Sequence, residues 1–287
     1  EGVLPLVYLK SHIFGKALVS MPYFNYGGLL ADSDTAAEQL VSAALLLQKN
    51  LGADYIELRQ AAPIHGGWPS KSHKVIMLLP LPANPDALWA SFKTKLRTRI
   101  RRTEKEGFTL HWGKHDLLDD YYSVFAENMR DLGTPVYSKD FFRAILQTFP
   151  ENSHVAALRR GNDCLAAGFL LSFRGNMEVP WSSSLRRFNH LSPNMLLYWH
   201  MLRESTVLGC RTFDFGRSTR DSGTYLFKEQ WGAVPHETFW IYPAKDADDL
   251  PDHSPQSKKY FWATRVWQKL PLFLTNRLGP LIVKDIP

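Results

Sequence analysis

Cysteine is almost missing from this 287-residue chain: only Cys164 and Cys210 occur, too few for a disulfide framework. Each lies among apolar or small residues, Cys164-Leu165-Ala166-Ala167 and Leu208-Gly209-Cys210, so both are read as small buried thiols in a reducing compartment. The ten histidines are scattered; no Cys/His group has zinc spacing, and no metal is expected. Long apolar runs are missing too. None approaches the roughly 20 residues that a bilayer-spanning helix needs, so a soluble, cytoplasmic protein is expected. No sustained heptad pattern occurs, which excludes a long coiled-coil arm.

What is present is a soluble globular composition, 45% hydrophobic and 22% charged, in a chain long enough for one large domain or two smaller ones. The formal net charge of +6 is local. Lys93, Lys95, Arg97, Arg99, Arg101, Arg102 and Lys105 stand against Glu104 and Glu106 in one stretch. This marks one basic helix rather than a basic protein. A solvated surface and a site for phosphates or RNA both fit it; aromatic interleaving, the mark of single-stranded nucleic-acid binders, is lacking.

Along the chain, Val3 to Lys10 and Ala17 to Phe24 alternate as a hairpin. Asn25-Tyr26-Gly27-Gly28 follows as a turn whose paired glycines permit close backbone approach. Thr35 and Glu38 form a capping box for a helix ended by Gly52. Strands are expected at 55–58 and 75–79. Asn84-Pro85 starts a helix that sets Leu88, Phe92, Leu96 and Ile100 on one face and ends at Gly107. After a strand at 108–112 come helices from Leu117 to Gly133 and from Phe141 to Phe149. Strands at 155–158, 165–173 and 177–181 then make an antiparallel meander. Ser192-Pro193 launches a further helix closed by Gly209, and a last strand spans 238–242. The tail is aromatic and basic, and Pro271 interrupts it.

The densest chemistry lies between Gly209 and Gly232. A strand, Thr212-Phe213-Asp214-Phe215, delivers Arg217, Ser218, Thr219 and Arg220 to a loop rich in hydrogen-bond donors. Gly223, Tyr225, Phe227, Lys228 and Trp231 follow. Asp214-Phe215-Gly216 also spells the magnesium-binding tripeptide of protein kinases, but the catalytic loop, the lysine strand and the glycine-rich loop of those enzymes are missing. An ordinary strand end with a capped turn fits these residues equally well.

Several stretches together resemble the FemAB-like family of tandem GNAT transferases, in its branch associated with exosortase and PEP-CTERM exopolysaccharide systems. They are Gly2 to Val7, Phe14-Gly15, Tyr26 to Gly28, Asn128 to Pro135, Asn194 to Trp199, Phe213 to Thr219 and Phe227 to Gly232. The resemblance implies an α/β (α+β) fold of two GNAT-like units, at 1–107 and 108–242, with a segment at 243–287 docking back on the first. Because the chain begins Glu1-Gly2-Val3 rather than with Met, the first unit is expected to be incomplete at its N-terminal end.

Fem transferases move an amino acid from aminoacyl-tRNA to an amine of a peptidoglycan precursor, and a Phe-Lys pair lines their reaction site. By that resemblance Phe227 and Lys228 are catalytic, Lys228 stabilising the oxyanion formed when a nucleophile attacks an acyl carbonyl. Asp214 either orients Arg217 or takes a proton. Arg217, Ser218, Thr219, Tyr225, Asn194, Tyr198, Trp181 and Ser182 are expected to bind substrate, and Arg97, Arg99, Arg101 and Arg102 to meet tRNA or phosphate. The donor is left open between acyl-CoA and aminoacyl-tRNA; the glycine-rich pyrophosphate loop of acetyltransferases is not visible. The expected acceptor is an amine or hydroxyl of a cell-envelope or exopolysaccharide precursor, at the inner face of the bacterial membrane or in the cytoplasm. No DNA partner is expected. The alternative is a GNAT-like binding or scaffold protein that has lost catalysis.

Overall fold

Ser33 and Gly52 show how local chemistry sets the elements. The Ser33 side chain accepts from the Ala36 amide, and Gly52 takes the left-handed conformation that ends the helix between them. The cap is thus Ser33 rather than Thr35, which lies inside the helix. A computed structural model describes residues 1–11, 15–64, 67–72, 74–243, 245–246, 250 and 258–286, with 258–260 in backbone alone. Phe14 and most of 247–257 lie outside the described residues.

In chain order the elements are β1 (Gly2–Val3), β2 (Val7–Ser11), β3 (Gly15–Val19), β4 (Leu30–Ala31), α1 (Asp34–Leu51), β5 (Tyr55–Gln60), β6 (Ser70–Lys71) and β7 (Lys74–Pro80). Then come α2 (Pro85–Ser91), α3 (Thr94–Glu104), β8 (Thr109–Gly113), α4 (Leu118–Leu132) and α5 (Lys139–Thr148). The meander β9 (Ser153–Arg160), β10 (Asp163–Phe173) and β11 (Asn176–Ser184) leads to α6 (Pro193–Val207). The chain continues through β12 (Thr212–Thr219), α7 (Gly223–Glu229), β13 (Val234–Glu237), β14 (Phe239–Ile241), α8 (Lys258–Trp267) and α9 (Leu272–Val283).

Among the described residues the larger sheet has seven strands in the order β13-β7-β12-β11-β10-β9-β8, and a second has five in the order β2-β3-β5-β14-β6. Both faces of the larger sheet are covered, so its strands alternate between two apolar layers rather than between core and solvent. Ala156, Leu158, Ala166 and Leu170 join the layer beneath α2, α3 and α6. Val155, Ala157, Ala167 and Phe169 join the layer beneath α4 and α5. Each large side chain buried here contributes roughly 1.5–3 kcal/mol. The smaller sheet packs Leu18, Ile56 and Leu58 against Val41 and Ala44 of α1.

Three differences from the sequence reading bear on function. The helix expected to run from Pro85 to Gly107 breaks at Phe92, whose ψ of 141° is extended. That step turns the Phe92 ring onto Trp199 at 5.8 Å and Trp231 at 5.5 Å, so both α2 and α3 pack on α6.

The division at residue 107 does not follow the sheets. β7 lies inside the seven-stranded sheet, paired with β12 and β13, while β14 pairs with β5 in the other. The chain crosses between sheets at Thr238, whose hydroxyl donates to the Lys74 carbonyl. The C-terminal segment, expected on the first unit, packs mainly on α4. The Gln268 side chain donates to the Asp131 carbonyl, and Gly279 fits against Val136, where a Cβ would come within 2.8 Å of backbone. It also reaches residues 1–107 where the Tyr23 hydroxyl donates to the Lys284 carbonyl.

Candidate functional site

β11 and β12 run parallel and pair over Asn176, Met177 and Glu178 against Thr212, Phe213 and Asp214. Beyond that point each follows its outer neighbour, β11 with β10 as far as Ser184 and β12 with β7 as far as Thr219. The register of β12 against β7 shifts between Asp214 and Arg217, and Gly216 there has φ +75°. A side chain at Gly216 would be strained and would come within 3.2 Å of the Asn25 amide. Arg217, Ser218 and Thr219 are therefore strand residues rather than a loop.

The gap between the strands is spanned by the turn at 25–28. The Asn25 amide donates to Glu178 of β11 at 2.9 Å, and its carbonyl oxygen accepts from Arg217 of β12 at 2.9 Å. The Tyr26 hydroxyl donates to Asp214 at 2.7 Å, and the other Asp214 oxygen accepts from the Gly216 amide at 2.6 Å. Gly28 brings this turn against β5, where a Cβ would sit 2.9 Å from the Arg59 carbonyl. Arg59 pairs with Glu57 at 2.8 Å, and Tyr242 donates to the second Glu57 oxygen at 2.9 Å. The Arg59 and Arg217 guanidiniums both lie on the Trp240 ring, at 4.6 and 5.0 Å. The polar network thus runs from one sheet to the other.

Lys228 completes it. Ser222 caps α7 by accepting from the Tyr225 amide. This short helix carries the Lys228 ammonium, 8% exposed, to the Gly216 carbonyl at 3.0 Å and the Arg217 carbonyl at 2.8 Å. An ammonium has three donors, and these two carbonyls take two of them. Burial lowers its pKa to about 8, against the pull of Asp214 in the other direction. Burial also raises Glu178 to about 7, helped by the nearby Asp214 charge. The Asp214 carboxyl is raised by burial, which outweighs Tyr26, the Gly216 amide and Lys228. Burial brings Arg217 down to about 10, with Arg59 adding to the effect. Such shifts in one place are what acid–base chemistry near neutrality requires.

The remaining expected residues divide. Tyr198 of α6 stacks on Phe215 at 5.5 Å and meets Phe227 edge-on at 5.0 Å; burial raises its pKa, and the Ser182 side chain opposes the rise. Phe227 therefore holds the aromatic wall behind Lys228. Ser218 has a buried hydroxyl with no partner among the described residues, and Thr219 accepts from Lys74. Tyr225 is buried in the core layer of α6. Trp181 is not with them. A shift in the β10–β11 register between Phe169 and Leu171 leaves its ring in the opposite layer, against Phe142 at 5.2 Å and Phe24 at 5.6 Å.

A second feature lies at the amino end of α6. Arg99, Arg102, Thr103 and Glu106 of α3 and its end face His190, Leu191, Ser192 and Met195 across a cleft of about 110 Å³. Asn194 is in the first turn beside it. Ser192 precedes the helix with φ 55° and makes no side-chain cap; Pro193 has no N–H to offer, and the Met195 amide donates to the Ser192 carbonyl at 3.0 Å. Of the four expected arginines, Arg99 and Arg102 line the cleft, while Arg101 lies over Trp89 at 5.5 Å. Arg97 is half-buried outside it. Arg99 also donates to Gln230 at 2.7 Å, linking the cleft to the end of α7. Lys228 does not line this cleft.

Sequence reasoning missed Glu178, Asn25, Glu57 and Arg59. The paired glycines after Tyr26 were the available signal for Asn25 and Tyr26; nothing local marks the others, which become neighbours through the sheets.

Residues 90–229, which hold α3, the meander, α6, β12 and Lys228, match the family model of the acetyltransferase (GNAT) domain. The fold is a mixed α/β GNAT fold. Among its structural neighbours, FemX has a TM-score of 0.64 at 14% identity, over 84% of this chain and 84% of that one. L-PGS from Bacillus licheniformis gives 0.61 at 13%, over 92% and 86%. The C-terminal domain (DUF2156) of an Agrobacterium fabrum protein described as a lysylphosphatidylglycerol synthetase gives 0.61 at 15%, over 86% and 85%. No curated protein matches the sequence. Among the described residues no helix is long and apolar enough to cross a membrane.

Proposed function

We propose that the chain is an acyl or aminoacyl transferase acting on an amine or hydroxyl of a cell-envelope or exopolysaccharide precursor. The observation that carries this reading is the buried Lys228 ammonium, held by two backbone carbonyls where the parallel strands part. The nucleophile's lone pair attacks the acyl carbon, and the carbonyl electrons move to oxygen. Lys228 donates its remaining N–H to that oxyanion, a contribution of several kcal/mol in a water-poor site. Glu178 takes the proton of the attacking group and, on collapse, returns it to the leaving thiol of acyl-CoA or the ribose hydroxyl of aminoacyl-tRNA.

The cleft at the amino end of α6 suits the phosphates of either donor. Its two arginines, Arg99 and Arg102, supply donors that phosphate oxygens accept from. The name of the Agrobacterium fabrum neighbour, a lysylphosphatidylglycerol synthetase, favours an aminoacyl group, and GNAT domains generally use acyl-CoA. The reading keeps the chain at the cytoplasmic side of the envelope.

A thermal-shift series with acyl-CoAs, aminoacyl-tRNA and nucleotide sugars tests it, because a ligand that binds the folded state raises Tm. The expected result is a shift with one donor class and one acceptor class, and transfer when the two are mixed. Shifts without transfer would instead support a binding or scaffold protein.

A further inference from the structure

The tail helices expose many of their large apolar side chains. On α9 the buried positions are Thr275, Gly279 and Val283, one turn apart. The opposite side presents Phe273, 70% exposed, with Leu278 and Leu281. On α8 the exposed side carries Phe261, Val266 and Trp262, the last 75% exposed. Thr264 and Gln268 of the same segment turn instead toward Gly133 at the end of α4.

A helix packed only on its own protein buries its large side chains; these two turn Trp267 and Leu272 inward but leave Phe261, Trp262, Val266, Phe273, Leu278 and Leu281 exposed. Cations are interleaved with the outward apolar groups. Arg265 lies over the Phe261 ring at 5.4 Å, and Lys269, Arg277 and Lys284 are exposed. From 258 to 286 the sequence sets Lys258, Lys259, Arg265, Lys269, Arg277 and Lys284 against Asp285 alone.

We infer that α8 and α9 form a docking face for an anionic lipid bilayer, lying in the headgroup region with aromatic and leucine side chains below and cations at the phosphates. Interfacial helices combine these features. A second copy of the chain fits less well, because it would set this excess of positive charge against itself. The inference is independent of the transfer reaction proposed above.

The test is flotation of the full chain with vesicles of phosphatidylcholine alone or mixed with phosphatidylglycerol, at low and high salt. Binding is expected to the anionic vesicles at low salt and to weaken as salt screens the cations. Arg265→Gln and Arg277→Gln should each weaken it about fivefold. Trp262→Ala with Phe273→Ala should reduce it more than about tenfold. All four positions are exposed, so each variant should keep the wild-type Tm. Absent binding to anionic vesicles, or binding that these substitutions leave unchanged, overturns the inference. So does a dimer in sedimentation that the Trp262 and Phe273 substitutions split.

Discussion

Two charged regions lie on either side of α7, and they differ in kind. At the parting of β11 and β12 the charges are buried and satisfied by neutral partners: Asp214 by Tyr26, Glu178 and Arg217 by Asn25, Lys228 by two carbonyls. At the amino end of α6, Arg99 and Arg102 line an open cleft. Burial costs ionised groups hydration, so the first region shifts its pKa values toward neutrality. The open cleft leaves its cations hydrated and ready to exchange water for a ligand's oxygens. The first is suited to moving protons and stabilising charge during a reaction; the second is suited to holding an anion.

The sharpest way to break this contrast is to remove the buried cation. Lys228→Met should lower single-turnover acyl transfer by about 10²–10³-fold, as loss of an oxyanion donor does, with little change in donor affinity by titration. Loss of affinity with an unchanged rate would move the lysine into the binding class. Next in size is Asn25→Ala, which strips partners from Glu178 and Arg217 together. Urea denaturation should show destabilisation of about 1–3 kcal/mol, the cost of leaving a buried polar group unsatisfied. A stability equal to wild type would mean that the strand gap is not bridged in solution.

How much of this was visible before the fold was known follows the same division. Asp214, Arg217 and Lys228 are close in sequence, so one strand and one capped turn announced them. Their buried partners Glu178, Glu57 and Arg59 come from other strands, and only sheet order and the crossing at Thr238 bring them together. Phe92 illustrates a different limit. The spacing of Leu88, Phe92, Leu96 and Ile100 fits one continuous helix, and it is packing against Trp199 and Trp231 that breaks it. Trp181 shows a third, since a register shift in β10–β11 sends an alternating residue to the other face. Repeating elements were legible because caps and periodicity are local; the site was half legible because half of it is long-range.

A smaller effect separates the regions by pH. In the proposed reaction Glu178 works as a carboxylate, so transfer should fall as pH drops through about 7, approaching tenfold per unit below it. Glu178→Gln should abolish that limb while lowering the plateau; a limb that persists in the variant assigns it to another group. Smallest is charge reversal in the open cleft. Arg99→Glu or Arg102→Glu should weaken donor binding by up to about fivefold and flatten its salt dependence, with stability within about 0.5 kcal/mol of wild type. Unchanged binding of both donor classes would return α3 to a merely solvated surface.

The most direct measurement is the alkaline limb of the single-turnover rate. In the proposed reaction Lys228 acts as an ammonium, so the wild-type rate should fall as pH rises through about 8. Lys228→Arg keeps its charge to far higher pH, and its remaining activity should show no such fall. An alkaline limb that stays near the same pH in Lys228→Arg would contradict the assignment of this lysine to the reaction.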